Sequence, residues 1–169
     1  MTSALFLCAC QTMPDAYAPP VQRLPFENVR PYRAPRFIMM ADGDADYRIV
    51  HDIPAHAEGV WRWTGQHPTV RIPEGPNRDL RYVMDFALPN VTFASTGPVT
   101  LSFYVNDHLL DRVRYTTSGS KHFEKAIPPD WLEEGKEALA SAEIDKVYTA
   151  QDDGVRLGFI LVGMGFKEP

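Results

Sequence analysis

The segment DLRYVMDFAL, residues 79–88, places an apolar side chain at every second position. Arg81 and Asp85 take two of the positions between them. A second segment, VTLSFYVN at residues 99–106, repeats the pattern, with threonine, serine, tyrosine and asparagine at the intervening positions. Because successive side chains of a strand point to opposite faces, both segments are predicted to be half-buried strands of an antiparallel sheet.

Similar short segments recur along the chain, separated by glycine, proline, asparagine and aspartate. They are residues 37–40, 47–50, 59–64, 69–72, 109–115, 122–127, 140–148 and 155–166. Turn residues between alternating runs are typical of hairpins, and Asn106-Asp107 is a good hairpin turn. Only residues 129–138 follow a helical pattern, which begins after two prolines. The predicted fold class is all-β: an antiparallel β-sandwich, jelly-roll-like, with one short helix.

The length of 169 residues, 44% of them hydrophobic, suits one globular domain with a tail. A chain of this size buries about two thirds of the surface that it exposes when unfolded. The inward positions of the predicted strands form the expected core. Its members are Trp63, Val70, Leu80, Tyr82, Met84, Phe86, Leu101, Phe103, Val105, Phe123, Ile144, Leu157, Phe159 and Leu161.

Charge and hydropathy argue against nucleic-acid binding and against a membrane-spanning helix. The net charge is −5 and the pI is about 5.5, and no local cluster of lysine and arginine opposes this acidity. Nucleic acid is therefore not an expected partner. The longest strand-like apolar run, residues 155–166, is shorter than the roughly 18 residues of a spanning helix. No cofactor is predicted.

The N-terminal segment ALFLCAC, residues 4–10, contains both cysteines of the chain. Leu7-Cys8-Ala9-Cys10 resembles the lipobox of bacterial lipoproteins, with leucine three positions before the modified cysteine and a small residue just before it. The resemblance implies that Cys10 is acylated and anchors the protein in a membrane without crossing it. An alternative is that the two cysteines are ordinary small apolar residues, or a metal or redox pair.

These features divide the chain into three parts. Residues 1–9 are expected to be a lipoprotein signal segment, truncated because no basic stretch precedes the apolar one. Residues 10–35 contain six prolines and form a semi-rigid tether. Residues 36–169 form the β-sandwich domain. Gln11 is not the aspartate that resembles an inner-membrane retention signal, so the expected location is the cell envelope, at the outer membrane facing the periplasm or cell surface.

The order of elements in the domain carries a second resemblance. The succession GVWRWTG, LRYVMDFAL, GPVTLSFYVND, GSKHFEKAIPPDWL, AEIDKV and DDGVRLGFILVGMGF covers residues 36–169. It resembles the jelly-roll accessory domains of bacterial polysaccharide enzymes, and more broadly carbohydrate-binding modules with a galactose-binding-like sandwich. The resemblance implies this fold and, as a function, carbohydrate binding.

The stretch GVWRWTG, residues 59–65, predicts a ligand-binding surface. Trp61 and Trp63 share one face of a regular strand, and indole rings stack on the apolar faces of sugars. An alternative is that one or both rings belong to the core. The polar residues suited to sugar hydroxyls are Arg62, Arg71, Asn106, Asp107 and His108.

Two acidic patterns suggest other chemistry. Asp42, Asp44 and Asp46 alternate as at the start of a calcium loop, although the remaining EF-hand positions do not match, and solvated turn residues are the alternative. Glu143 and Asp145 lie two apart on one strand, as in the laminarinase-like glycosidases that they resemble. The second catalytic carboxyl of that class is replaced by Val147, so no glycosidase is expected.

These observations bear on three possible functions. The leading hypothesis is an envelope-anchored lipoprotein whose β-sandwich binds a glycan or cell-envelope polymer without catalysis. The alternative is a structural or assembly lipoprotein that binds a partner protein through the same face. An enzyme is not expected, because no complete catalytic set is present. The sequence does not indicate an oligomeric state.

Overall fold

The computed structural model describes residues 34–73 and 79–169. Cys10, the signal segment and residues 10–33 of the predicted tether lie outside the described residues. The strands of the described part are β1 (Phe37–Met39), β2 (Ile49–His51), β3 (Arg62–Trp63), β4 (Thr69–Ile72), β5 (Arg81–Leu88), β6 (Val99–Val105), β7 (His108–Tyr115), β8 (Gly119–Ala126), β9 (Ala138–Ile144), β10 (Tyr148–Thr149), β11 (Arg156–Leu157) and β12 (Ile160–Lys167). Its helices are α1 (Ala45–Arg48), α2 (Asn90–Thr96) and a 3-10 turn at Pro129–Trp131.

Two antiparallel sheets form the sandwich. Sheet A has the order β1-β12-β5-β8, and β3 pairs with β12 beyond the end of β1. Sheet B has the order β2-β4-β9-β6-β7, and β10 pairs with β11 in a separate hairpin. From β4 to β12 the chain passes repeatedly between the two sheets, which is the jelly-roll-like connectivity that the alternating pattern predicted.

The core lies between the inner faces of the two sheets. Phe103 of sheet B and Phe123 of sheet A stack with ring centroids 3.6 Å apart. Tyr82 crosses the same interface and donates its hydroxyl to the Ser141 carbonyl at 3.0 Å. Burial raises the pKa of Tyr82, so the hydroxyl stays a neutral donor. The predicted core residues are buried with the exceptions of Trp63 and Leu157, which are partly exposed.

The helices differ from the prediction. The helical pattern at residues 129–138 yields only a 3-10 turn, whereas α2 forms between β5 and β6. Thr92 is buried in α2, and Gly97 ends this helix with a φ of 68°. Tertiary burial therefore overrides the low helix propensity of a segment rich in β-branched and small polar residues. No helix of the described ranges is long and apolar enough to cross a bilayer.

The predicted strand at residues 155–166 is interrupted before β12. Gly158 N–H donates to the Thr64 carbonyl at 2.7 Å, and Thr64 N–H donates to the Phe159 carbonyl at 2.9 Å. A Cβ at Gly158 would collide with the carbonyl oxygen of Gly65. The chain therefore leaves the regular strand here because two backbones approach too closely for a side chain.

Candidate functional site

Trp61 and Trp63 lie together on the outer face of sheet A. Trp63 is opposite Ile160 of β12, while Arg62 is opposite the fully buried Leu161, so the tryptophans and Arg62 point to opposite sides. The two indole rings meet edge to face, with centroids 6.1 Å apart and planes at 88°. Both rings are partly exposed. The two rings are in contact although Trp61 lies just before β3, and their role in ligand binding stays a prediction.

A tight turn precedes the Trp pair. Gly59 has a φ of +71°, a conformation that glycine adopts without strain. The chain then folds back so that Glu58 N–H donates to the Trp61 carbonyl at 2.9 Å. Val60, at the tip of this turn, is 60% exposed. The turn fixes the backbone of Trp61 although regular β3 begins only at Arg62.

Arg62 anchors the Trp pair from beneath. Its side chain is 5% exposed. Nε donates to the Met40 carbonyl at 3.1 Å, and one terminal nitrogen donates to the Ala55 carbonyl at 2.8 Å and to Asp46 at 2.5 Å. The guanidinium therefore ties β3 to three other segments of the chain, and this structural role uses the donors that sequence reasoning had assigned to a ligand.

An aromatic residue and a cation lie along the same edge of sheet A. Phe37 of β1 faces outward opposite Gly165, and its ring covers Gly163, where an added Cβ would come within 2.7 Å of the ring. Lys167 Nζ lies 3.8 Å from the centroid of this ring. Phe37 and Trp63 pair with β12 five residues apart, so their backbones are separated by about 16 Å along the edge.

Charged residues occupy the other edge of this outer face. His122 of β8 contacts Asp85 of β5 at 2.6 Å through Nδ1 and Glu124 at 3.4 Å through Nε2, and Arg81 pairs with Glu124. The hydrogen bond with Asp85 is the main cause that raises the pKa of His122. The pKa of Glu124 is lowered, first by its hydrogen bond with His122 and then by Arg81. Since Nε2 faces a carboxylate and not a hydroxyl, this pair does not activate a serine nucleophile.

The other predicted ligand residues lie elsewhere. Arg71 is on the outer face of sheet B, 3.5 Å from Glu137. Asn106 and Asp107 form the predicted hairpin turn, with φ values of 47° and 67°. The Asn106 side chain accepts from Leu139 N–H at 2.8 Å and donates to the Trp131 carbonyl at 3.0 Å, and His108 stacks on Trp131 at 4.9 Å. The structure therefore does not bring the predicted ligand residues into one site.

The three aspartates proposed for calcium have separate protein partners. Asp42 accepts from Met39 N–H at 3.0 Å, Asp44 pairs with Arg48 at 2.9 Å, and Asp46 pairs with Arg62. Within residues 34–73 and 79–169, no group of three or more His, Cys, Asp or Glu side chains is arranged so that it could hold a metal ion. Asp42 and Asp44 therefore make local turn and helix contacts, whereas Asp46 makes a longer-range ion pair with β3.

Sheet B has a shallow depression in its outer face. It has a volume of about 350 Å³ and is lined by Thr100, Ser102, Arg112, Glu143 and Asp145, which we call the polar depression. Glu143 and Asp145 lie on one face, as their spacing predicted. Sequence reasoning missed Ser102 and Arg112; the only signal for them is their outward position in an alternating strand.

Comparison with known proteins gives only distant similarity. No model of a known protein family and no curated protein sequence matches this chain. A family 35 carbohydrate-binding module from Clostridium thermocellum is 12% identical, with 74% of this chain and 95% of that chain covered and a TM-score of 0.42. A CBM35 from Paenibacillus barcinonensis is 15% identical, with 74% and 96% covered and a TM-score of 0.39.

A third solved structure is the dimeric latent PorU from Porphyromonas gingivalis. It is 17% identical, with 59% of this chain covered and a TM-score of 0.37. This chain covers 10% of the length of PorU. Similarity of this size does not assign a function, and the fold rests on the strands and pairings described above.

Proposed function

We propose that this chain is a lipid-anchored protein of the cell envelope whose β-sandwich binds a glycan or envelope polymer without catalysing a reaction on it. The observation that carries the proposal is the Trp pair, two partly exposed indole rings held edge to face on one outer face of the sandwich. Sugar rings have apolar C–H faces that stack on such rings.

The support beneath the Trp pair favours a binding role. A ligand binds less tightly to large aromatic side chains on a sheet surface when binding must first order those side chains. Here the turn at Gly59 fixes one tryptophan, and the pairing with β12 and the buried Arg62 fix the other. The rings are thus oriented before a ligand arrives, which reduces the entropy cost of binding.

The anchor is proposed from the N-terminal sequence. Leu7-Cys8-Ala9-Cys10 supplies the residues that a lipoprotein signal peptidase recognises, and residues 10–35 are rich in proline. Several acyl chains on Cys10 give stable membrane binding, since each buried CH2 contributes about 0.8 kcal/mol. Mass spectrometry of the protein expressed in a bacterium is expected to show a lipid-modified Cys10. A Cys10→Ser variant that still partitions with membranes would contradict the anchor.

Binding is tested by affinity electrophoresis of the full chain in gels that contain xylan, galactomannan, arabinogalactan or glucan, and by co-sedimentation with peptidoglycan. The expected result is retention by at least one polymer, reduced about tenfold in Trp61→Ala and in Trp63→Ala, because a lost stacking contact of about 1.4 kcal/mol changes affinity tenfold. Trp131→Ala is the matched control, since Trp131 stacks on His108 away from the Trp pair. Absence of retention by every polymer, or equal retention of the variants, would refute the proposal.

A further inference from the structure

The polar depression lies on the outer face of sheet B, where the neighbouring strands β9, β6 and β7 place residues opposite one another. Ser102 of β6 is opposite Glu143 of β9 on one side and opposite Arg112 of β7 on the other. The three side chains therefore form one row across the sheet. A short hydroxyl lies in the middle of this row, between a long anionic and a long cationic side chain.

The two charged side chains are held apart by neutral neighbours. Arg112 Nε donates to Ser102 Oγ at 3.1 Å, and Tyr104 donates its hydroxyl to Glu143 at 3.2 Å. No ion pair of the described residues joins Arg112 to Glu143 or Asp145. Strand β6 separates β7 from β9, so the backbones of Arg112 and Glu143 are about 10 Å apart. Each charged side chain bonds to a hydroxyl, and within the described residues no further hydrogen bond occupies the terminal guanidinium nitrogens of Arg112 or the second carboxylate oxygen of Glu143.

A third group adds an acceptor at the end of the depression. Asp145 accepts from Thr100 N–H at 2.8 Å through one carboxylate oxygen. Thr100 and Ser102 provide a floor of small side chains beneath the charged residues. The volume of about 350 Å³ lies within the range of about 300–1,000 Å³ that is usual for small-molecule sites.

This set of groups selects the chemistry of a ligand. Carboxylates only accept hydrogen bonds and a guanidinium only donates them, whereas a sugar hydroxyl does both. One arginine and two carboxylates give the depression a formal charge of −1, which disfavours anionic ligands, and the arginine disfavours a bare metal cation. A neutral polyhydroxylated ligand satisfies all of these groups without burying an unpaired charge.

Aromatic rings beside the depression add an apolar contact. The rings of Tyr104 and His67 lie 5.9 Å apart, and Tyr104 is the residue that orients Glu143. A pyranose ring whose hydroxyls bond to Glu143 has its C–H face available for such a ring. We propose that the polar depression is a second binding site, for one neutral pyranose unit of a glycan, on the opposite outer face from the Trp pair.

The proposal rests on the proposed function for its class of ligand, but not on the Trp pair. Two weak sites on one rigid domain bind a polymer more tightly than either site alone, because the second contact becomes intramolecular. Two sites on opposite faces also allow one domain to contact two glycan chains. A lipid-anchored domain of this kind would join polymer chains to the membrane surface.

The test is an NMR titration of the isotope-labelled full chain with D-glucose, D-galactose, D-mannose and D-xylose. Each sugar is added to about 100 mM, because a shallow site for one sugar unit is expected to have a millimolar Kd. At least one sugar is expected to shift the amide signals of Ser102 and Glu143. The absence of such shifts with all four sugars would overturn the proposal.

Variants then separate the two sites. Glu143→Gln keeps the shape of the side chain and is expected to weaken sugar binding about tenfold, and Tyr104→Phe about threefold, since it removes only the orienting hydroxyl. Glu133→Gln is the matched control, because Glu133 pairs with Lys136 outside the depression. Sugar shifts that are equal in Glu143→Gln and wild type would overturn the second site.

The same variants show which of the two proposals fails. If Trp61→Ala loses polysaccharide retention and keeps the sugar shifts at Ser102, both proposals hold. If Trp61→Ala loses retention and wild type gives no shifts at Ser102, the Trp pair stands and the second site is wrong. If sugars shift Ser102 while Trp61→Ala retains polysaccharide normally, the second site stands and the role of the Trp pair is wrong.

Discussion

Replacement of Arg62 by alanine is predicted to destabilise the domain and to disturb the Trp pair. The Arg62 side chain is 5% exposed, and its guanidinium donates to the carbonyls of Met40 and Ala55 as well as to Asp46. Removal of a hydrogen-bond partner leaves a buried carbonyl without its donor, at a cost of about 1–3 kcal/mol for each such group. The side chain of Asp46 is 58% exposed and can be rehydrated, so it adds little.

The buried Met40 carbonyl is expected to contribute about 2 kcal/mol and the partly buried Ala55 carbonyl about 1 kcal/mol, a total loss of about 3 kcal/mol in the free energy of unfolding. Small domains have a total stability of about 5–15 kcal/mol, so the variant should still fold. With an m-value near 2 kcal/mol/M, the urea midpoint is expected to fall by about 1.5 M. Tryptophan fluorescence suits the measurement, since Trp61 and Trp63 flank the altered position.

Two further variants give this prediction its controls. Arg81→Ala removes an arginine that is 36% exposed and pairs with Glu124, and it is expected to cost less than about 1 kcal/mol. Arg62→Lys keeps the positive charge but not the forked set of N–H donors. Its loss in the free energy of unfolding is therefore expected to be smaller than that of Arg62→Ala but still measurable. If Arg62→Ala unfolds within about 0.5 kcal/mol of wild type, the buried guanidinium does not hold β3 in place, and the argument for a pre-oriented Trp pair fails with it.

Three other perturbations test separate parts of the structure. Phe103→Ala removes a fully buried ring and is expected to cost about 3–5 kcal/mol in a urea titration; a loss below about 1 kcal/mol would contradict the described core. Gly163→Ala is expected to displace the Phe37 ring and lower stability by about 1–2 kcal/mol, and an unchanged urea midpoint would refute that contact. The raised pKa of His122 means that its pair with Asp85 stabilises the fold fully below about pH 6.5 and less as the pH rises through the raised value. The Tm difference between wild type and His122→Gln should therefore shrink between about pH 6 and pH 9, and a difference that grows would refute the assigned sign.

The strands were predictable because the alternation of apolar and polar residues within each segment shows which face is buried. In residues 79–88 the alternation of side chains alone identifies which face is buried, and Tyr82, Met84 and Phe86 lie in the core as predicted. Helix α2 was not predictable in this way. Its sequence NVTFAST has low helix propensity, and the burial of Thr92 against the rest of the fold stabilises the helix.

For the candidate sites too, the sequence predicts contacts within one segment but not contacts between segments. The contact between Trp61 and Trp63 was predictable because the two residues are two positions apart in one extended segment. The row of Glu143, Ser102 and Arg112 was not, because these residues come from three strands and only the register makes them neighbours. Arg62 was predicted to bind a ligand because its N–H donors suit sugar hydroxyls, but the sequence does not show that these donors bond to the carbonyls of Met40 and Ala55 instead.

The two outer faces follow one physical rule with different results. On each sheet an interior strand carries small residues at outward positions: Gly163 on β12 and Ser102 on β6. Small residues on an interior strand lower the surface between larger flanking side chains. On sheet A the ring of Phe37 covers the glycine, and the proposed ligand contact is the Trp pair further along the edge. On sheet B the flanking side chains are charged and lie on strands that β6 separates, and the low surface between them is the proposed site for sugar hydroxyls.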